Sequence, residues 1–276
     1  MKLPHRRKFL HLGLIAALSF LPHIARAQGY PSRPITIIVP FVAGGPSDWL
    51  GRLVAERLRV SQTDFEPVGL LSNSASLVVA RKSLPADDLK GLVEWLKANR
   101  GKATEGHVGI GSVGHLGGLL LQDLTGTRFQ QVPYRGSAPV MQDLVAGQID
   151  FGIEAATTSL PQFRAGNIKA FAVARQRRLT SAMEIPTVDE AGLPGFYVGS
   201  WFALYAPKGT PNGIVSKLNA EVRGLLEDPA TWPRFAELGH EIPASGQQTP
   251  EALAALQRAD IAKWWPIIKG ANVKGE

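Results

Sequence analysis

Two glycine-rich stretches stand where backbone amides could do chemistry. Pro40-Phe41-Val42-Ala43-Gly44-Gly45-Pro46-Ser47-Asp48 lies between a β-rich run and a helical pattern, and Gly109-Ile110-Gly111-Ser112-Val113-Gly114 opens another helical pattern. Glycines let N–H groups approach a ligand with no Cβ in the way, and a helix N-terminus adds partial positive charge, so either stretch is a candidate cradle for a carboxylate or phosphate. Asp48 argues against a highly charged phosphate at the first. The bland alternative is that the glycines only turn the chain. The second stretch also spells G-x-G-x-x-G, a dinucleotide fingerprint that expects an acid about 20 residues on to bind the ribose. Here that neighbourhood reads Val132-Pro133-Tyr134-Arg135. Arg135 suits a 2′-phosphate, so an NAD(P)-dependent oxidoreductase using residues 109–114 stands as the alternative to a carboxylate-binding turn.

Side-chain catalysts are scarce. Beyond residue 27 the histidines are His107, His115 and His240, no G-x-S-x-G or H-E-x-x-H occurs, and there is no cysteine. Thiolate zinc, iron–sulfur clusters, disulfides and cysteine nucleophiles are thereby excluded. His107 and His115 flank the second glycine stretch, either as a metal or base pair or as packed, hydrogen-bonded rings. Tyr134, Arg135 and Gly136 form a further turn before a helical pattern. Glu154 ends an apolar run, where it either faces a cleft, to meet an ammonium or order water, or is a surface carboxylate. The six tryptophans fall in helical patterns and read as packing.

The elements that would hold these residues alternate. Residues 35–39 read as a strand buried on both faces, followed by a helix carrying Leu50, Leu53, Val54 and Leu58. Residues 88–99 read as a helix stopped by Gly101, 115–124 as a helix ending before Gly126, and 138–146 as a helix ending at Gly147. Strands are expected over 129–132, 149–154, 168–174 and 200–206, a long helix through Ile214, Leu218, Val222 and Leu225, and a last one capped by Thr249-Pro250. The alternation predicts an α/β fold with mostly parallel sheets, whose ligands sit beyond the carboxyl ends of strands.

A net charge of +7 would suggest an anionic partner, but Lys2, Arg6, Arg7, Lys8 and Arg26 all fall in the first 27 residues, which hold no acid. Without them the balance is +2, and nucleic acid is not expected as a partner. That segment has a basic start, an apolar run from Phe9 to Leu21 broken by His11, and Ala25-Arg26-Ala27 as an A-x-A site, so a signal peptide cleaved after Ala27 is expected. Arg6-Arg7 fits twin-arginine export, and the basic n-region serves the Sec route equally.

Several segments together resemble the periplasmic substrate-binding proteins of tripartite tricarboxylate transporters, the Bug family. The likeness is carried by Tyr30-Pro31-Ser32-Arg33-Pro34, residues 39–48, Gly109-Ile110-Gly111-Ser112 with His115, Val132-Pro133-Tyr134-Arg135-Gly136-Ser137-Ala138-Pro139, Ile185-Pro186-Thr187, Ser200-Trp201-Phe202 and Ala206-Pro207-Lys208-Gly209-Thr210-Pro211. It implies a two-domain α/β fold of the periplasmic-binding-protein type II class, with a discontinuous first domain over 28–80 and 199–276 and a second over 81–198. It further implies a monomeric receptor, without catalysis, cofactor or metal, that closes on a small carboxylate and delivers it to a membrane permease. The carboxylate could be a dicarboxylate, tricarboxylate, amino acid or aromatic acid. The positions matching the family's binding turns are Phe41, Ala43, Gly44, Gly45, Ser47 and Asp48 from the first domain, and Gly111, Ser112, His115, Tyr134, Gly136 and Glu154 from the second.

The sequence departs from that pattern after residue 60. Arg59-Val60 runs straight into Ser61-Gln62-Thr63-Asp64-Phe65, where the resemblance calls for a further strand, helix and strand. A first domain without them is expected to be less stable than the second and to bind carboxylate weakly or not at all, so a family member without a ligand is a third reading.

Overall fold

The computed structural model describes residues 64–237 and 240–273. The expected strand at 35–39, the first glycine turn and the join at 59–63 lie outside them.

A single long strand organises the described chain. β1 (Phe65–Arg81) begins among β6 (Gly199–Pro207) and β7 (His240–Glu241) and ends between β4 (Phe151–Ala155) and β5 (Ile168–Val173). Its first part, Phe65 to Ala75, pairs antiparallel with β6, and Asn73 and Ser74 also pair with β7. From Ser76 onward it is held on both edges, against β4 and β5. Register shifts between Pro67 and Gly69 and between Leu70 and Ser72 bend the first part. The other strands are β2 (Thr104–His107) and β3 (Gln130–Pro133), giving the order β3-β2-β4-β1-β5. Only the β3-β2-β4 pairings are parallel, whereas β1 runs antiparallel to each of its partners. The expectation of mostly parallel sheets therefore fails for the described residues, because β1 crosses the molecule against the direction of the βα units.

The helices cover both faces. α1 (Leu89–Ala98), capped by the Asp88 carboxylate on the Gly91 N–H at 2.7 Å, and α2 (Val113–Thr125) pack on one face. Leu89, Leu92, Leu96, Leu120 and Leu121 there meet Val78, Phe151, Ile153 and Phe196. α3 (Ser137–Ala146) and α4 (Ala156–Arg164) cover the other, where Val140, Leu144 and Leu160 meet Leu77, Val79 and Ile168. α5 (Asn212–Glu227), α6 (Thr231–Glu237) and α7 (Pro250–Gly270) complete the chain. α7 starts as expected, with Thr249 Oγ1 accepting from the Ala252 N–H at 3.1 Å. Around the first part of β1 the buried cluster is small, comprising Leu70, Ala203 and Leu253. Among the described residues no helix is long and apolar enough to cross a membrane.

Candidate functional site

The three parallel strands set up the site. β2, β3 and β4 run in one direction and are followed by α2, α3 and α4 respectively, so three helix N-termini come to one edge of the sheet. Each start leaves first-turn N–H groups with no acceptor inside its helix. At the same edge β1 enters the sheet, with Ser76 opposite Ala155 and Leu77 opposite Glu154. The chain crosses a second time at Val198, whose N–H donates to Ala174 O at 2.8 Å, before Gly199 pairs with Ala75.

At the α2 entrance Ser112 is 1% exposed, and its Oγ accepts from the His115 N–H at 3.3 Å. The hydroxyl proton stays free to donate. Gly111 N–H is already taken by His115 Nδ1 at 3.0 Å, so the turn is closed on itself and this amide is spent on structure. His107 and His115 stack with ring centroids 4.8 Å apart. Burial and the neighbouring His115 push His107 down to about 4, against the pull of the Gly109 carbonyl, and burial also lowers His115. Both rings are neutral near pH 7. The pair is thus packed and hydrogen-bonded, and among the described residues no group of three or more His, Cys, Asp or Glu could hold a metal ion.

α3 and α4 open without side-chain caps. Gly136, with φ of 128°, makes the turn into α3, a conformation L-residues rarely adopt, and Ala155 precedes α4. Their first amides are open to solvent or an anion. The Tyr134 hydroxyl does not face an open partner: it donates to Asp143 Oδ2 at 2.7 Å, and burial with that carboxylate pushes it up to about 12. Glu154 is only 3% exposed, which settles its burial against the surface alternative. Burial pushes its carboxyl up to about 7, opposed by a hydrogen bond from Ser137, the first residue of α3. The structure therefore brings Gly111, Ser112, His115, Tyr134, Gly136 and Glu154 to one edge, while Phe41, Ala43, Gly44, Gly45, Ser47 and Asp48 lie outside the described residues.

Sequence reasoning missed Ser137 as the partner of Glu154, the bare start of α4, and Glu105. The last is fully buried beneath α2, accepts from Gln131 Nε2 at 2.8 Å through Oε2, and is held well above the usual carboxyl range by desolvation. The crossing strand was missed as well, since Ser72, Ser74 and Ser76, all buried, break its apolar pattern.

The family profile described as tripartite tricarboxylate transporter family receptor matches residues 56–273. The chain belongs to that family. This receptor family is not one of enzymes, so the oxidoreductase reading of residues 109–114 is overturned, in line with a turn whose Gly111 amide is already engaged. A UPF0065 protein from the TAR-I ttuE-ttuC′ intergenic region of Agrobacterium vitis is 33% identical, over 95% of this chain and 91% of its own. That alignment runs over 315 positions and takes in about 262 residues of this chain, 95% of 276, leaving about 53 positions without a counterpart here. Among solved structures, MatC (Rpa3494) of Rhodopseudomonas palustris with bound malate is 31% identical, with a TM-score of 0.70 over 87% of this chain and 100% of that one. R. palustris Rpa4515 with adipate is 29% identical, with a TM-score of 0.71 over 88% and 99%. The periplasmic binding protein BugD is 31% identical, with a TM-score of 0.68 over 90% and 100%. Receptors of this family act in the periplasm and bind small carboxylates.

Proposed function

We propose that this receptor is exported with cleavage after Ala27, closes as a monomer on a small carboxylate, and delivers it to the permease of a tripartite tricarboxylate transporter. The observation that carries the reading is the convergence of the α2, α3 and α4 N-termini at the strand edge where β1 crosses, since these groups answer to the carboxylate and leave the rest of the molecule unspecified. Malate and adipate, bound to two of the neighbours, share carboxylate ends and differ in chain length. The crossings at Ser76 and Val198 support a boundary between a second domain over 81–198 and a first made of 28–80 and 199–276. Binding residues on the first domain are proposed to be Phe41, Ala43, Gly44, Gly45, Ser47 and Asp48. Because the sequence departs from the family pattern after residue 60, affinity is proposed to fall below that of longer relatives.

A melting-temperature screen of the protein beginning at Gln28 tests this, with malate, adipate, citrate, aspartate, benzoate and NADH as probes. A rise with one or more carboxylates and none with NADH supports the reading. No shift with any carboxylate favours a family member that has lost its ligand.

A further inference from the structure

Glu154 is a buried carboxyl at the same sheet edge as the proposed carboxylate site. It is the penultimate residue of β4, at the edge that collects three helix N-termini, and it is joined to Ser137 in the first turn of α3. An ionised Glu154 accepts a hydrogen bond from the Ser137 hydroxyl and sets a full negative charge at the start of α3 and α4, the groups left to receive an anion. Two carboxylates cannot both be ionised in one dry site without one being strongly disfavoured. We propose, resting on the carboxylate-receptor reading, that Glu154 is a proton switch in this site: the ligand is taken up together with one proton, which settles on Glu154 and turns it from a competing anion into a hydrogen-bond donor.

Burial raises the Glu154 carboxyl, and the hydrogen bond from Ser137 opposes that rise. Leu77 of β1, directly opposite, is apolar. Glu105 on β2 lies on the other sheet face and is held well above the carboxyl range by burial, and the charge of Glu154 adds to that rise. His107 on β2 is lowered to about 4 and so is neutral between pH 6 and 8, and burial also lowers His115 on α2. On α3, Asp143 is engaged by the Tyr134 hydroxyl. Arg135 before α3 is exposed, Arg175 beyond β5 is bridged to Glu241, and α4 carries no charge until Arg164 at its far end. Burial places the Glu154 carboxyl at about 7, within reach of ordinary pH change.

The test is calorimetric titration of the protein beginning at Gln28 with malate at pH 6 and pH 8, in two buffers of different ionisation enthalpy, for the wild type and Glu154→Gln. If only the protonated form binds, affinity follows the protonated fraction and is about tenfold weaker at pH 8 than at pH 6. Uptake of about one proton per malate at pH 8 accompanies it. Glu154→Gln keeps a donor but cannot titrate, so it binds with equal affinity at both pH values and takes up no proton, and it also corrects for protonation of malate itself. Wild-type binding that is independent of pH, or a pH dependence that persists in Glu154→Gln, overturns the switch and leaves the receptor reading intact. Absence of malate binding at both pH values in both proteins overturns the receptor reading for this ligand, and the switch with it.

Discussion

Gly118→Ala should destabilise the protein although alanine is the better helix former. An added Cβ at Gly118 would lie 2.4 Å from Glu105 Oε2 and Gln131 Nε2 and 2.9 Å from Glu105 Cδ. Ordinary carbon contacts begin near 3.5 Å, so the overlap is about 1 Å. Relief has two routes, and both are costly. If α2 lifts, the packing of Leu120 and Leu121 opens. If the side chains move, the 2.8 Å bond between Gln131 and Glu105 and the 3.0 Å bond from Gln131 to His115 O are lost. Overpacking costs about 1 to 3 kcal/mol and a broken buried hydrogen bond about 1 to 3 kcal/mol, against a gain of about 1 kcal/mol in helix propensity. By either route alone the net is a loss of up to about 2 kcal/mol, or a fall in Tm of up to about 8 °C for a chain of this size. Gly224→Ala, in the exposed last turn of α5 with nothing within 4 Å of the new Cβ, is the control and should stabilise by up to about 1 kcal/mol. Urea unfolding followed by far-ultraviolet circular dichroism compares the two. Equal effects of the same sign would show that the Glu105–Gln131 pair does not set the height of α2 on the sheet.

Three further outcomes follow from the structure. Asp150 accepts from Arg81 Nε at 3.0 Å, Thr104 N at 2.8 Å and Thr104 Oγ1 at 3.0 Å, so Asp150→Ala should lower stability by about 2 kcal/mol, read by chemical denaturation, and a loss under 0.5 kcal/mol would count against the clamp. The folded-state carboxyl of Glu154 is raised from 4.5 to about 7, so its contribution to stability is complete below pH 4.5 and lost as pH rises through 7. Glu154→Gln should accordingly gain on the wild type by up to about 3 kcal/mol at pH 8, with the difference shrinking towards pH 4, and a constant difference would contradict this. Hydrogen exchange should be at least about tenfold slower at Leu77 to Ala80, paired on both edges, than at Gly69 and Leu70, paired on one among the described residues, and uniform protection along β1 would refute that division.

The parts of this fold that could be read from the sequence are those with local signals. Asp88 and Thr249 announce helix starts by capping chemistry, and Gly126 and Gly147 mark helix ends in left-handed conformations, so α1, α2, α3 and α7 were legible to within a few residues. β1 was not. Pro67, Gly69 and the serines at 72, 74 and 76 interrupt its apolar pattern, and its partners lie far along the chain. α4 was missed because it has no side-chain cap and carries Pro161. The turns at Ser112 and Gly136 and the strand end at Glu154, which form the edge proposed to bind, were legible through their glycines and the end of an apolar run. Glu105 was hidden inside Thr104-Glu105-Gly106-His107, which has no strand-like alternation, and its burial comes only from the glycines that let α2 close over it.

The central claim, that a carboxylate is held by the helix entrances at the β3-β2-β4 edge, is tested most directly by titrating the ¹⁵N-labelled protein beginning at Gln28 with malate and following backbone amide shifts. Millimolar ligand keeps the measurement sensitive to weak binding. The account predicts saturable shifts concentrated at Ser112, Val113, Ser137, Ala138, Ala156 and Thr157, with Ser112→Ala weakening the dissociation constant about fivefold to thirtyfold, equivalent to about 1 to 2 kcal/mol. Saturable shifts centred elsewhere, with those six amides unmoved and Ser112→Ala without effect, would contradict it.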